Sequence, residues 1–334
     1  MRSTPAASVT VAIALALCSG CAVAPSPSAP VASPATASST LTQMPSAAGD
    51  GAVLLIAWQT GDDGAELLLA REGGVVERRP LPAVANGQVA AGLGGPLYFL
   101  SGPPLEPVLW TSEGSLSEPR WTSQRLFPPK PQEEPLVWLC AGPGQPPGAI
   151  AVQSNDNLLY LLGDGGQLRL LPPRRLFLRP GGCAWSDAGH LLVSTDEPLL
   201  THHIAFAMFS VEDGASRILE GIGGEQPAVS EVSLAYVARG GPHDNVVLVG
   251  VIPAPDGALP PAGARVEPTG TADFIRPILS ADGRRITVVE FEPPGGPDRL
   301  LLYELLPSPT LVMVVDVRGM RDAGPVWVAS RGSG

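Results

Sequence analysis

The stretch Ser280-Ala281-Asp282-Gly283-Arg284-Arg285-Ile286-Thr287-Val288 decides the fold. Asp282-Gly283 is a tight-turn signal, because a two-residue hairpin needs positive φ values that Gly accepts freely and Asp tolerates. An apolar, β-branched run follows at once over 286–291 and reads as a strand. The same arrangement returns upstream. Ser230 opens Ser-Glu-Val-Ser-Leu-Ala-Tyr-Val, Ser186 opens Ser-Asp-Ala-Gly-His-Leu-Leu-Val, and Ser330 opens a final Ser-Arg-Gly-Ser-Gly, at spacings of about 44, 50 and 50 residues. Ala141 (before 149–152) and Ala91 (before 97–100) extend the series at spacings of about 45 and 50.

Further short runs of Val, Ile, Leu and aromatic residues lie at 52–58, 66–70, 158–162, 191–194, 246–251 and 300–305. Gly, Pro, Asp and Asn separate them, and no amphipathic helical stretch of useful length intervenes. The 39 Gly and 38 Pro are punctuation for short strands and argue against long helices, while 44% hydrophobic residues suffice for a core. Each repeat holds about four strands, which is the size of a propeller blade. Turns after the third strand fall at Arg71-Glu72-Gly73-Gly74, Ser112-Glu113-Gly114, Gly163-Asp164-Gly165-Gly166 and Glu212-Asp213-Gly214. Residues 325–330 read as a first strand lacking three successors, and 52–79 as three strands lacking a first. Joined, they close a ring and remove an exposed edge. The expectation is an all-β, six-bladed β-propeller over 50–334. It has four-stranded blades, with five units at about 86–124, 125–178, 179–220, 221–270 and 271–318 and one blade shared by the termini.

The motif Pro277-Ile-Leu-Ser280-Ala-Asp282-Gly283-Arg-Arg-Ile286 resembles the TolB-type propeller repeat, Pro-x-Trp-Ser-Pro-Asp-Gly followed by a strand. Gly182-Cys-Ala-Trp185-Ser186-Asp-Ala-Gly189-His-Leu is a looser second match. The resemblance implies a fold and transfers no site, since propellers serve as enzymes, receptors and scaffolds.

The N-terminus reads as an address. Arg2 precedes an apolar run over 9–17, too short to span a bilayer, as in a secretory signal. Leu17-Cys18-Ser19-Gly20-Cys21 resembles a bacterial lipoprotein signal and departs from it at Cys18, where Leu is usual. The resemblance implies a signal peptide over 1–20 and an acylated Cys21 that anchors the chain to a membrane outside the cytoplasm. An ordinary cleaved signal and a redox Cys18-x-x-Cys21 are the competing readings. Residues 22–49 are uncharged and rich in Ala, Pro, Ser and Thr, so 21–49 reads as a tether. It reaches roughly 30 Å as a coil and about 90 Å as polyproline II. Formal net charge is −11, and loss of the single Arg2 charge with the leader takes it to about −12. Nucleic-acid binding, which needs clustered positive charge, is therefore disfavoured.

Two cysteines remain in the body. Cys140 and Cys183 end first strands of adjacent repeats and are expected to form a disulfide in an oxidising compartment. Two buried thiols are the alternative. The loops between second and third strands should share one face, and charged, amide and His residues gather in them. They include Asp62, Asp63, Asn155, Asp156, Asp196, Glu197, His202, His203, His243 and Asp244. Solvation alone would explain such loops; a binding face is the sharper reading, and an acidic one suits a basic surface or a cation. Adjacent His202 and His203 point poorly toward one ion, so no metal is assigned. Gly-x-Ser-x-Gly, Ser-x-x-Lys and Gly-x-x-x-x-Gly-Lys are all missing, and no cofactor or catalytic residue is assigned. The expected role is a monomeric, lipid-anchored binding or scaffold module for a protein or cell-envelope polymer. The alternative is a propeller enzyme, a hydrolase or sugar-type oxidoreductase, using carboxylates and His at the channel mouth.

Overall fold

The computed structural model describes residues 53–328 apart from 61–63, 71–75, 87–88, 92–95, 114–118, 130–133, 143–149, 155–156, 172–176, 197–203, 220–223, 239–245, 251–262, 269–271, 281, 292–298 and 317–324. Among the described residues the strands form six four-stranded antiparallel sheets. In chain order they begin with β1 (Val53–Thr60), β2 (Gly64–Ala70) and β3 (Val76–Pro80), then β4 (Ala90–Ala91), β5 (Leu97–Ser101), β6 (Val108–Glu113) and β7 (Arg120–Arg125). The third sheet holds β8 (Leu136–Ala141), β9 (Ile150–Ser154), β10 (Leu159–Leu162) and β11 (Leu168–Leu171). The fourth holds β12 (Phe177–Asp187), β13 (His190–Asp196), β14 (Ile204–Ser210) and β15 (Ser216–Ile218). β16 (Glu225–Val229), β17 (Leu234–Ala238), β18 (Val246–Gly250) and β19 (Arg265–Val266) form the fifth. The sixth is β20 (Asp273–Leu279), β21 (Arg285–Phe291), β22 (Arg299–Glu304) and β23 (Thr310–Asp316). β24 (Pro325–Val328) pairs antiparallel with β1, with Leu55 opposite Val326, and so completes the first sheet.

The arrangement is that of a propeller. First strands touch in succession: β4 and β8, β8 and β12, β12 and β16, β16 and β20, β20 and β24, β24 and β4. The core lies between sheets. Leu159, Leu161 and Leu171 of the third sheet pack on Leu191, Val193 and Phe209 of the fourth. Leu192, Phe206 and Met208, on the opposite face of the fourth, pack on Leu234 and Tyr236 of the fifth. The second and third strands of the third and fourth sheets are therefore covered on both faces. β9 and β10 are buried at every position, and they run apolar over 150–152 and 159–162 instead of alternating. Each such Leu or Phe contributes about 1.5–3 kcal/mol.

The recurring Ser has a structural reason. Ser280 Oγ accepts from the Arg285 N–H at 3.0 Å and donates to Asp282 Oδ1 at 2.6 Å, and Gly283 follows at φ +67°. Ser230 Oγ accepts from the N–H of Ser233 at 2.9 Å. The hydroxyl thus closes the hairpin after the first strand, a local side-chain turn.

Candidate functional site

At the other end of the first strands the ladders break. β8 slips against β9 between Leu136 and Trp138, β12 against β13 between Leu178 and Cys183, β16 against β17 between Glu225 and Ala228, and β20 against β21 between Ile275 and Ile278. Three of these bulges contain a proline, in Arg179-Pro180, Gln226-Pro227 and Arg276-Pro277. Proline has no N–H for the ladder, so pairing stops and the preceding side chain is re-aimed. Gln226 and Arg276 take φ +53° and +55°. A residue with a Cβ rarely adopts this region, and the cost is about 1–3 kcal/mol each. Antiparallel pairing sets these strand starts beside the ends of the second strands, next to the connections from second to third strands.

The re-aimed side chains meet. Arg179 pairs with Asp196 at the end of β13 in its own sheet and with Glu225 at the start of β16 in the next. Burial disfavours the Arg179 charge, but hydrogen bonds and the charges of Asp196 and Glu225 outweigh it and hold its pKa above the usual arginine value. Gln153, fully buried at the end of β9, donates Nε2 to the Arg179 carbonyl at 3.0 Å. Gln226 Oε1 accepts from the Arg276 N–H and ties the fifth sheet to the sixth. The Arg276 guanidinium carbon lies 5.8 Å from the ring centroid of Trp138 in the third sheet, a cation–π contact. Trp138 and Gln153 are direct register partners. The Trp138 Nε1 donor and the Gln153 Oε1 acceptor are buried without a protein partner among the described residues. A buried donor and acceptor left open side by side are unusual in a native protein. Two guanidinium groups, two carboxylates, an indole and two amides thus converge from four sheets, a set suited to polar recognition.

Of the acidic-face residues expected from the sequence, Asp196 lies in this cluster. Asp62, Asp63, Asn155, Asp156, Glu197, His202, His203, His243 and Asp244 lie outside the described residues, as do Cys21 and the tether. Among the described residues no group of three or more His, Cys, Asp or Glu is placed to hold a metal ion. Also among them, no helix is long and apolar enough to cross a membrane. Cys140 and Cys183 sit in the touching first strands β8 and β12, with Sγ atoms 1.99 Å and Cα atoms 5.7 Å apart, which is disulfide geometry. The Trp185 indole donates to the Cys140 carbonyl at 3.0 Å across the same junction. Trp138, Gln153, Arg179, Glu225, Gln226 and Arg276 were not singled out from sequence. The X-Pro recurring in the first strands β12, β16 and β20 was the available signal.

No protein-family model matches the chain, and no curated protein matches it in sequence. Solved structures do resemble it. TolB from Acinetobacter baumannii superposes with a TM-score of 0.58 at 13% identity, over 83% of this chain and 66% of that one. The chain thus spans slightly less than two thirds of that protein. A chain of a nidogen/laminin complex gives 0.55 at 14% identity, over 84% of this chain and 99% of that one. A protein described as a TolB from Agrobacterium tumefaciens gives 0.50 at 12% identity, over 83% and 94%. At such identities the likeness is one of fold: this chain is similar to TolB and other β-propeller proteins.

Proposed function

We propose that the six sheets are the six blades of a closed propeller, carried outside the cytoplasm on a lipid at Cys21 and a tether over 21–49. It acts as a binding or scaffold module for a protein or cell-envelope polymer. Pairing of β24 with β1 and the unbroken succession of first-strand contacts support the closed ring. In such a ring the third and sixth blades are opposite, so the Arg276–Trp138 contact reaches across the axis. The observation that carries the binding role is the bulged cluster. Strained backbone at Gln226 and Arg276, and an open donor and acceptor at Trp138 and Gln153, are costs that folding alone does not repay. The acidic and His-bearing loops would surround this centre, with Asp196 as the member that belongs to both. The propeller fold of the neighbours, one of them in a nidogen/laminin complex, is compatible with protein binding.

The test is affinity capture from an envelope extract. Wild type is compared with a variant in which Asp62, Asp63, Asp196, Glu197 and Asp244 are made neutral, and with Arg276→Ala. Specific capture by wild type that falls in both variants supports the reading. Identical capture by all three sinks it. Fatty-acid labelling that persists in Cys21→Ser would remove the anchor.

A further inference from the structure

Outer strands of the sheets differ in one respect that concerns association. β3 carries Arg78 and Arg79, β7 Arg120 and Arg125, β11 Arg169, β15 Arg217 and β19 Arg265. A charge on an edge strand discourages pairing with another chain. β23, the outer strand of the sixth sheet, reads Thr-Leu-Val-Met-Val-Val-Asp and has no charge from Thr310 to Val315. Its side chains are also exposed: Leu311 44%, Val312 46% and Val314 50%. With Leu306, at 66%, four of the nine large exposed apolar residues among those described fall within one nine-residue stretch, 306–314. β22 is its partner on one side, and no described strand pairs with it on the other. In an antiparallel ladder every second residue turns its N–H and C=O away from the neighbour, so β23 offers a row of backbone groups to an incoming strand.

We infer that β23 is a self-association edge, on which a second copy of this chain adds its own β23 antiparallel. The occupant follows from charge. Two copies of β7, β11, β15 or β19, laid antiparallel about the strand centre, bring arginine toward arginine across a strand spacing of about 4.8 Å, while β3 also carries Glu77. Two copies of β23 centred on Met313 set Leu311 opposite Val315 and Val312 opposite Val314, and Asp316 meets Thr310 instead of another acid. Like charges directly opposite destabilise a pair, whereas β-branched pairs stabilise it. The bulge at Val312, where Tyr303 pairs with Leu311 and Leu302 with Met313, interrupts the ladder beside this centre in each copy. One such strand pair stays below the roughly 1,000 Å² of a stable interface, so the dimer is weak and concentration-dependent. It replaces the monomer expected from sequence. Each copy carries a net charge of −11, so salt strengthens the dimer by screening the mutual repulsion.

Sedimentation equilibrium of the full chain over a wide concentration range tests this, at low and high salt, with melting temperature as the folding control. Wild type should approach twice the monomer mass at high concentration, more readily at high salt. Val314→Lys, which restores the charge that the other outer strands carry, should weaken association at least tenfold and leave the melting temperature unchanged. Met313→Cys should link two copies through residue 313 under mild oxidant. A wild type monomeric at every concentration overturns the inference, as does a Val314→Lys variant that associates as strongly. A monomeric wild type that binds a synthetic apolar strand peptide assigns the edge to a foreign chain and also overturns it.

Discussion

Replacing Arg179 with Met separates the roles of its two acidic partners. The Glu225 side chain is 10% exposed and that of Arg179 29%. Removing one member of a buried ion pair costs about 3–5 kcal/mol, because the other charge is left desolvated. Partial access of water to Arg179 places the loss near the low end. Asp196, 48% exposed, adds no more than about 1 kcal/mol. The expected destabilisation is therefore about 3 kcal/mol, read as a shift of the urea midpoint at unchanged slope. In a domain of this size it lowers the melting temperature by roughly 6–12 °C. Arg179→Met combined with Glu225→Met removes both charges and should recover most of the loss, to within about 1 kcal/mol of wild type. The coupling energy of the cycle is then at least about 2 kcal/mol, because the cost of Glu225→Met alone adds to it. Because Arg179 belongs to the fourth sheet and Glu225 to the fifth, this value measures a tie between neighbouring sheets. A loss below about 1 kcal/mol in Arg179→Met, or a double variant as unstable as the sum of the singles, refutes the reasoning.

Three further outcomes are expected. Cys140→Ala with Cys183→Ala opens a cross-link of sequence separation 43, and chain entropy puts the cost at up to about 4 kcal/mol, read by urea unfolding without reductant. Gly166 sits at φ +83° and a Cβ there would lie 2.2 Å from the Arg125 carbonyl oxygen, so Gly166→Ala should cost at least about 2 kcal/mol. Gly165→Ala, at φ +63° with nothing within 4 Å, should cost about 1 kcal/mol in the same assay. Burial, helped by the Glu290 charge, pushes the Tyr303 hydroxyl up to about 12, from 10.0. Between those values the folded state keeps a proton that the unfolded chain has lost. Stability should thus hold up to pH 10, fall between 10 and 12, and fall less in Tyr303→Phe.

Strand order and turn chemistry were legible because they are local. Asp282-Gly283 specifies its hairpin through residues two or three apart, and in Ser280 and Ser230 a hydroxyl closes the turn at the same point of both hairpins. The cluster at the bulges was not legible. Arg179 meets a partner 46 residues away in Glu225, and Arg276 meets Trp138 from three sheets further on, distances at which no short motif operates. The pairing depends on how sheets pack, and the bulges that aim the side chains break the strand alternation that a sequence reading follows. The acidic loops drew attention because polar residues crowd there, whereas Gln153 and Glu225 lie in strands that otherwise read as core. The charge-free β23 was visible throughout, but it gains meaning only beside five outer strands that each carry an arginine.

The proposed closed ring depends on the last strand completing the first sheet. Leu55 and Val326 are register partners across that closure. Leu55→Cys with Val326→Cys, in a chain lacking the other cysteines, should form an intramolecular cross-link on mild oxidation of folded protein and raise the urea midpoint. Absence of that cross-link in folded chains, with both thiols still free, would contradict the closed propeller.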